Sequence, residues 1–306
     1  MSTLAVDAGR RTVEVARAEK VLFPAGPDAP AVTKADLAAY YREIAPYAVP
    51  HLKGRPLMLE MHPDGIGGRP LMRKNVPAHF PDWVHRAELA KEDGTVCHVL
   101  ADDAPTLVYL AGQGCTTLHR FLSRADRPRH PDLMVFDLDP AGDDFAPVRT
   151  AALQLGELLD AVRLPWAPMT SGSRGLHLVV PLDRGSDVDE VRELARAIAE
   201  TLAARHPDTL TTKARKAERG DRLYLDVMRN GYAQTAVAPW SVRALPGAPV
   251  AAPLPPDALH DTSLHPRAFT VRDALAHART EPWAGLLPAR HPRGLRGARS
   301  RLDAVR

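Results

Sequence analysis

Cysteine is scarce in this sequence, aromatic residues are few, and long apolar runs are missing. Only Cys97 and Cys115 occur in 306 residues, without metal-ligand spacing, which excludes a disulfide framework and a cysteine-ligated zinc. The histidines form no H-E-x-x-H pattern. No stretch approaches the ~20 apolar residues that span a bilayer. Residues 1–11 lack the apolar core of a signal peptide, so a cytoplasmic location without a membrane partner is expected. Charge of one sign is lacking too: a formal net charge of +3 permits a polyanionic partner without arguing for one. What remains is an ordinary globular composition, long enough for one large domain or two lobes.

Periodicity gives the coarse order of elements. Val13 and Val15 alternate with polar residues, as in a short strand. Thr33, with Asp36 three residues on, forms a capping box for a helix whose stripe is Leu37, Tyr40, Tyr41, Ile44 and Ala48. The prolines of residues 50–56 are expected to end it. Residues 57–61 read as a strand closed by the turn Pro63-Asp64-Gly65, 95–100 as another, and 106–122 as a helix carrying His119. Helices are predicted over 146–163 and after Asp187, which has Glu190 in capping-box position; strands are predicted over 133–139, 176–182 and 222–228. The Pro/Ala-rich segment 245–256 reads as a surface connector, and the arginine-rich end, 286–306, as a disordered basic tail.

Three stretches carry candidate chemistry. In Leu133-Met134-Val135-Phe136-Asp137-Leu138-Asp139-Pro140 a strand period places Asp137 and Asp139 on one face, their Cα atoms ~6.8 Å apart. Two such carboxylates can share a pair of cations, although a lone D-x-D reads more readily as two turn aspartates ending a strand before Pro140. Thr170-Ser171-Gly172-Ser173-Arg174-Gly175-Leu176-His177 is a Gly/Ser loop whose N–H groups are placed to converge on an anion, with Arg174 as a phosphate donor. Taken alone it reads also as an ordinary turn. In Leu223-Tyr224-Leu225-Asp226 a third strand ends in a third carboxylate. Three carboxylates, a Gly/Ser loop and nearby basic groups form a set suited to a nucleoside triphosphate and its hard cations.

These same residues, followed by Val227-Met228-Arg229-Asn230 and Ala236-Val237-Ala238-Pro239-Trp240-Ser241-Val242-Arg243, occur in the order and spacing of a known family. The chain resembles the polymerase/primase domain of bacterial DNA ligase D, in the archaeo-eukaryotic primase superfamily, from about Val13 to Trp283. Lys20-Val21-Leu22-Phe23-Pro24, Arg55-Pro56, Pro63-Asp64-Gly65-Ile66 and Phe80-Pro81-Asp82-Trp83 match as well. The resemblance implies a mixed α/β (α+β) fold: an N-terminal αβ unit over residues 1–130 and a primase-like core with an RRM-like sheet over 131–285, the cleft between them taking DNA and nucleotide. It implies Asp137, Asp139 and Asp226 as ligands of two Mn²⁺ or Mg²⁺ ions. Ser171, Gly172, Arg174 and His177 would hold the triphosphate, with His119, Arg219 and Arg243 beside it. Arg17, Lys20 and Lys34 would grip a 5′-phosphate. The implied activity is nucleotidyl transfer onto a primer at gaps or double-strand breaks, from NTP or dNTP. The implied setting is the bacterial nucleoid, in non-homologous end joining beside Ku and a separate ATP-dependent ligase.

The departures concern DNA grip rather than the aspartates. Arg174 stands for a lysine, Leu71-Met72 for a template-stacking aromatic pair, Met61-His62 for a basic residue, Arg17 for an asparagine and Trp240 for a tyrosine. Base–aromatic stacking contributes ~1–3 kcal/mol per base, so a weaker or differently built template grip is expected. Two rival readings remain at this stage: a break-binding module without polymerase activity, and a D-x-D phosphatase of the haloacid-dehalogenase kind.

Overall fold

The structure, a computed structural model, describes residues 2–27, 29–285 and 294–305. It divides into two units that are interleaved in sequence. The first comprises Met1–Phe121, Val237–Ala252 and Phe269–Glu281; the second comprises Leu122–Ala236, Pro253–Ala268 and Pro282–Arg306.

In the first unit, β1 (Thr3–Asp7) and β2 (Thr12–Ala16) form an antiparallel hairpin in which Val13 and Val15 are buried between exposed neighbours. A short pair, β3 (Val21–Phe23) and β4 (Val32–Thr33), leads into α1 (Lys34–Leu52). Thr33 caps α1 through the expected box with Asp36. The helix runs through Pro46 and Pro50 and ends at Leu52, within the expected segment 50–56. Both prolines are exposed and four residues apart, so the carbonyls they leave without a donor face water.

Next come β5 (Leu57–Met61), β6 (Leu71–Arg73), the hairpin of β7 (Arg86–Lys91) and β8 (Gly94–Val99), α2 (Ala104–Gly112) and β9 (Cys115–Phe121). β5 lies antiparallel between β6 and β9, and α1 packs against α2. The expected helix over 106–122 is thus two elements. Gly114, at φ +76°, turns the chain, and Cys115 with the β-branched pair Thr116-Thr117 continues as a strand, so His119 sits on β9. Lys91-Glu92-Asp93-Gly94 has the K-x-D-G spacing of a ligase nucleophile, yet it is the exposed tip of the β7–β8 hairpin, with Lys91 paired to Gly94.

The second unit starts with β10 (Leu133–Asp139), α3 (Ala146–Ala161), β11 (Ala167–Thr170), β12 (Leu176–Pro181), α4 (Val188–Arg205), β13 (Leu210–Thr211), α5 (Lys216–Arg219) and β14 (Leu223–Asp226). The sheet order is β11-β12-β10-β14-β13, antiparallel except for the β13–β14 pair. Without β13 this is the β-α-β-β-α-β connectivity and strand order of an RRM-like sheet, with the first and third strands at its centre. Leu133 to Leu138 are all buried, as a central strand covered on both faces requires.

β15 (Thr235–Val237) carries the chain back towards the first unit. The return is held by side chains: the Tyr40 hydroxyl donates to the Trp240 carbonyl at 2.8 Å, and the Leu118 N–H donates to Ser241 Oγ at 2.7 Å. Segment 245–256 is not a surface connector. Ala248, Val250, Ala251 and Ala252 are fully buried, because small side chains let the backbone approach closely and bond, as in Trp240 N–H to the Ala251 carbonyl at 2.8 Å. α6 (Ala274–Ala278) completes the first unit, so the boundaries expected at 130 and 285 give way to interleaved ones. The expected tail also needs correction over its described part. Residues 286–293 lie outside the described residues, but α7 (Arg296–Ala304) buries Ala298 and Leu302, four residues apart on one face. Arg301 Nε donates to the Val162 carbonyl at 2.8 Å.

Candidate active site

Strand register assembles the acidic centre. On β10, Asp137 is paired across to His177 of β12 on one side and to Asp226 of β14 on the other; Asp139 faces Tyr224. One oxygen from each of Asp137, Asp139 and Asp226 lies within 4.8 Å of the others. Asp137 and Asp226 are buried and Asp139 is half-buried. Burial, followed by the charges of Asp137 and Asp226, pushes the Asp139 carboxyl up to about 6. His177 Nε2 lies 3.3 Å from Asp137 Oδ1, and its buried Nδ1 has no hydrogen-bond partner among the described residues.

Three neighbours on the β14 side were not singled out from the sequence. The Tyr224 hydroxyl donates to Asp226 Oδ1 at 3.3 Å, and its own proton is held more tightly, up to about 12, by burial and by Asp226. The Arg219 guanidinium stacks over the Tyr224 ring at 3.9 Å, so this predicted nucleotide ligand is at present a ring partner. Asn230, 2% exposed, accepts from Val135 N–H and donates to the carbonyls of Val135 and Val227, at 2.7–2.9 Å. Its carboxamide thereby continues the β10 ladder where β14 has stopped, and the turn this fixes lets Met228 N–H donate to Asp226 Oδ1 at 2.7 Å. Arg229, on the same turn, lies 3.6 Å from Asp137 Oδ2 and 3.9 Å from Asp226 Oδ2. Such roles depend on cross-strand register, which sequence spacing does not encode.

The loop before β12 differs from the expected open cradle. Ser171 Oγ accepts the N–H groups of Ser173 (3.2 Å) and Gly175 (3.1 Å), and Ser171 N–H donates to the Gly175 carbonyl. Three N–H groups are therefore engaged inside the loop, and anion contact falls chiefly to side chains such as the exposed Arg174. Gly172 adopts φ +65°. At Gly175 a Cβ would stand 2.2 Å from the Leu138 carbonyl oxygen, so the loop lies directly on the aspartate strand.

His119 and Arg243 belong to the first unit. On β5 and β9, Glu60 and His119 are diagonal neighbours on one face, and Glu60 lies between His119 Nε2 (3.4 Å) and His62 Nε2 (3.1 Å). The hydrogen bond from His119, then that from His62, holds the Glu60 carboxyl down at about 2, with the charge of Arg243 adding to the effect. The three expected 5′-phosphate residues also gather in this unit. Arg17 turns the chain at φ +53°, Lys20 pairs with Asp64 at 2.8 Å, and Lys34 is 5% exposed, donating to the Ala16 carbonyl at 3.2 Å and to that of Gly112. Burial first, then the charges of Arg17 and Lys20, lower the Lys34 pKa, with Glu19 opposing them.

A family model described as the LigD primase-polymerase domain matches residues 33–283. The chain belongs to that family. With it comes the nucleotidyltransferase class of the archaeo-eukaryotic primases, which favours neither the phosphatase nor the binding-only reading. The multifunctional non-homologous end joining DNA repair protein LigD of Mycobacterium tuberculosis H37Rv is 31% identical over 271 residues, covering 86% of this chain and 35% of that protein. The bifunctional LigD of Bacillus subtilis is 32% identical over 243 residues, covering 78% and 38%. The chain thus spans about a third of the length of these curated relatives. The polymerase domain of M. tuberculosis ligase D, solved in complex with DNA, superposes with a TM-score of 0.82 at 30% identity, covering 92% of this chain and 99% of that one.

As a LigD primase-polymerase domain, the chain is expected to need divalent cations, and its donor set fits them. Three converging carboxylates are hard oxygen donors without sulfur, a set suited to hard divalent cations.

Proposed function

We propose that this LigD primase-polymerase domain is a metal-dependent, DNA-directed nucleotidyltransferase that extends a primer into short gaps at DNA breaks. The observation that carries this reading is the convergence of Asp137, Asp139 and Asp226 from two adjacent strands in a nucleotidyltransferase family. The primer 3′-oxygen attacks the α-phosphorus of an NTP or dNTP, the α–β phosphoanhydride bond breaks, and pyrophosphate leaves. Two Mn²⁺ or Mg²⁺ ions bound by the three aspartates would acidify the 3′-hydroxyl and offset charge on the pyrophosphate.

This chain's own groups position the rest. Arg174 and His177 flank the aspartates on the β12 side, where a guanidinium and a ring nitrogen suit phosphate oxygens. Ser171 and Gly172 shape the loop beneath them, and Arg219 supplies a further positive group towards the nucleotide. Arg17, Lys20 and Lys34 form a cluster suited to the 5′-phosphate across a gap, with Lys20 exchanging Asp64 for the phosphate. DNA is the ligand of the solved M. tuberculosis domain. The end-joining names of the relatives support a setting beside Ku and a ligase.

The decisive assay extends a 5′-phosphorylated gapped duplex with NTP or dNTP, in Mg²⁺ or Mn²⁺. Asp137→Asn and Asp226→Asn should abolish extension while gapped-DNA binding persists. Extension by either variant at the wild-type rate would refute the metal assignment. Hydrolysis of small phosphoesters without extension would return the phosphatase reading.

A further inference from the structure

Arg229 stands apart from the groups used so far. Its guanidinium approaches Asp137 Oδ2 and Asp226 Oδ2, one carboxylate from each of the two strands that build the acidic centre. At 3.6 and 3.9 Å these are charge contacts rather than the short paired bonds of an arginine–carboxylate clamp, and the side chain is 43% exposed. Among the described residues it has no other ion-pair or hydrogen-bond partner. Its backbone, by contrast, is fixed: Met228–Asn230 is a single 3-10 turn anchored to β10 by the buried Asn230 carboxamide. A long, loosely held arm on an anchored turn can withdraw to solvent without moving the aspartates.

We propose that Arg229 is a built-in competitor for the divalent cations: its guanidinium neutralises Asp137 and Asp226 when no cation does, and must leave them for one to bind. The proposal rests on the three aspartates being the metal ligands. Its physical basis is that a divalent cation needs the carboxylate oxygens the guanidinium already faces. Two positive groups on the same pair of oxygens repel strongly where water screens them only in part. Arg229 thus lowers the apparent affinity for free cation. Loading would then favour conditions in which the cation arrives with extra negative charge, as it does bound to a nucleoside triphosphate. The competing possibility is that Arg229 organises the carboxylates for the cation, and the two differ in the sign of one measurement.

That measurement is Mn²⁺ binding to the whole chain without nucleotide, followed by the EPR signal of free Mn²⁺. Arg229→Gln should bind Mn²⁺ roughly tenfold more tightly than wild type, the effect of removing one partly exposed charge. Arg229→Lys should stay near wild type, and Asp226→Asn should lose binding. Equal or weaker binding by Arg229→Gln, with Asp226→Asn still defective, overturns the competition and leaves the metal site standing. Wild-type binding by Asp226→Asn overturns the metal site, and the proposal with it. A readout on the wild-type protein guards against a misfolded variant: titration with Mg²⁺ should move the Arg229 Nε–H NMR resonance to the position of a solvated arginine, and an unmoved resonance at saturation overturns the proposal.

Discussion

Asp139 illustrates what one side chain gains from its neighbours and what the sequence conveys of it. The strand period alone placed it beside Asp137, because alternate residues share a face whatever the fold does elsewhere. That Asp226 joins them depends on the register of β14 against β10, which spacing does not encode; the residues offered it only as a third strand-ending carboxylate, and the resemblance implied it as a metal ligand. The same dependence hid Tyr224 and Arg229, whose roles exist only across strands. A titration consequence follows from the crowding. The folded Asp139 carboxyl is raised to about 6 by burial and then by Asp137 and Asp226, against 3.8 for the unfolded group. Between those values the folded protein binds a proton that the unfolded chain has released, so this group's contribution to stability falls as pH rises through roughly 4 to 6. In a chelator, Asp139→Asn should remove that slope and melt higher than wild type at pH 7, by on the order of 1 kcal/mol after discounting for solvent access. At pH 4 the two should converge. Urea or thermal unfolding across that range checks both points, and a variant no more stable than wild type at pH 7 would contradict the crowding.

At the scale of elements, local signals were legible where they were self-contained. Thr33 with Asp36 and Asp187 with Glu190 each close a capping box, since every partner lies within four residues. Residues 106–122 read as one helix because an apolar run fits a helix as well as a buried strand, and the arbiter was the turn that Gly114 makes at positive φ, a conformation glycine adopts without strain. Segment 245–256 was misassigned for another reason. Proline and alanine signal an exposed linker by composition, while here small side chains serve close packing. The loop before β12 shows how such closeness sets the site. Gly175 carries no side chain where a Cβ would stand 2.2 Å from the Leu138 carbonyl, so its methyl would push the loop off the strand that bears Asp137 and Asp139. Gly175→Ala should therefore cost about 1–3 kcal/mol in unfolding free energy and reduce primer extension by more than that stability loss explains. Comparing denaturant midpoints with extension rates at a temperature where the variant is fully folded separates the two effects. An active, equally stable variant would show that the loop can yield.

For the whole molecule, interleaving is the property that sequence order conceals. The division near residue 130 that the resemblance implied follows the order of the chain, in which β10 opens a new sheet. Yet the first unit's buried cluster includes Trp240, Val242, Ala248, Val250, Ala252, Ala274 and Ala278, contributed more than a hundred residues later. Hydrogen bonds accompany them: Tyr40 donates to the Trp240 carbonyl, Val242 N–H donates to the Tyr41 hydroxyl at 3.3 Å, and Ala238 N–H donates to the Leu118 carbonyl at 2.9 Å. A fragment of residues 1–130 would keep α1, α2 and its strands but expose the surfaces these residues cover. Each fully buried large apolar side chain contributes about 1.5–3 kcal/mol, and losing Trp240, Val242 and Val250 together is comparable to the ~5–15 kcal/mol that holds a typical domain folded. The fragment should retain helical far-ultraviolet circular dichroism, lose its near-ultraviolet signal, and show little protection from hydrogen exchange in β9, whereas the whole chain protects it. Supplying residues 237–281 as a separate chain should restore part of that protection. Cooperative unfolding of 1–130 alone, with β9 fully protected, would mean that the first unit does not depend on its late segments.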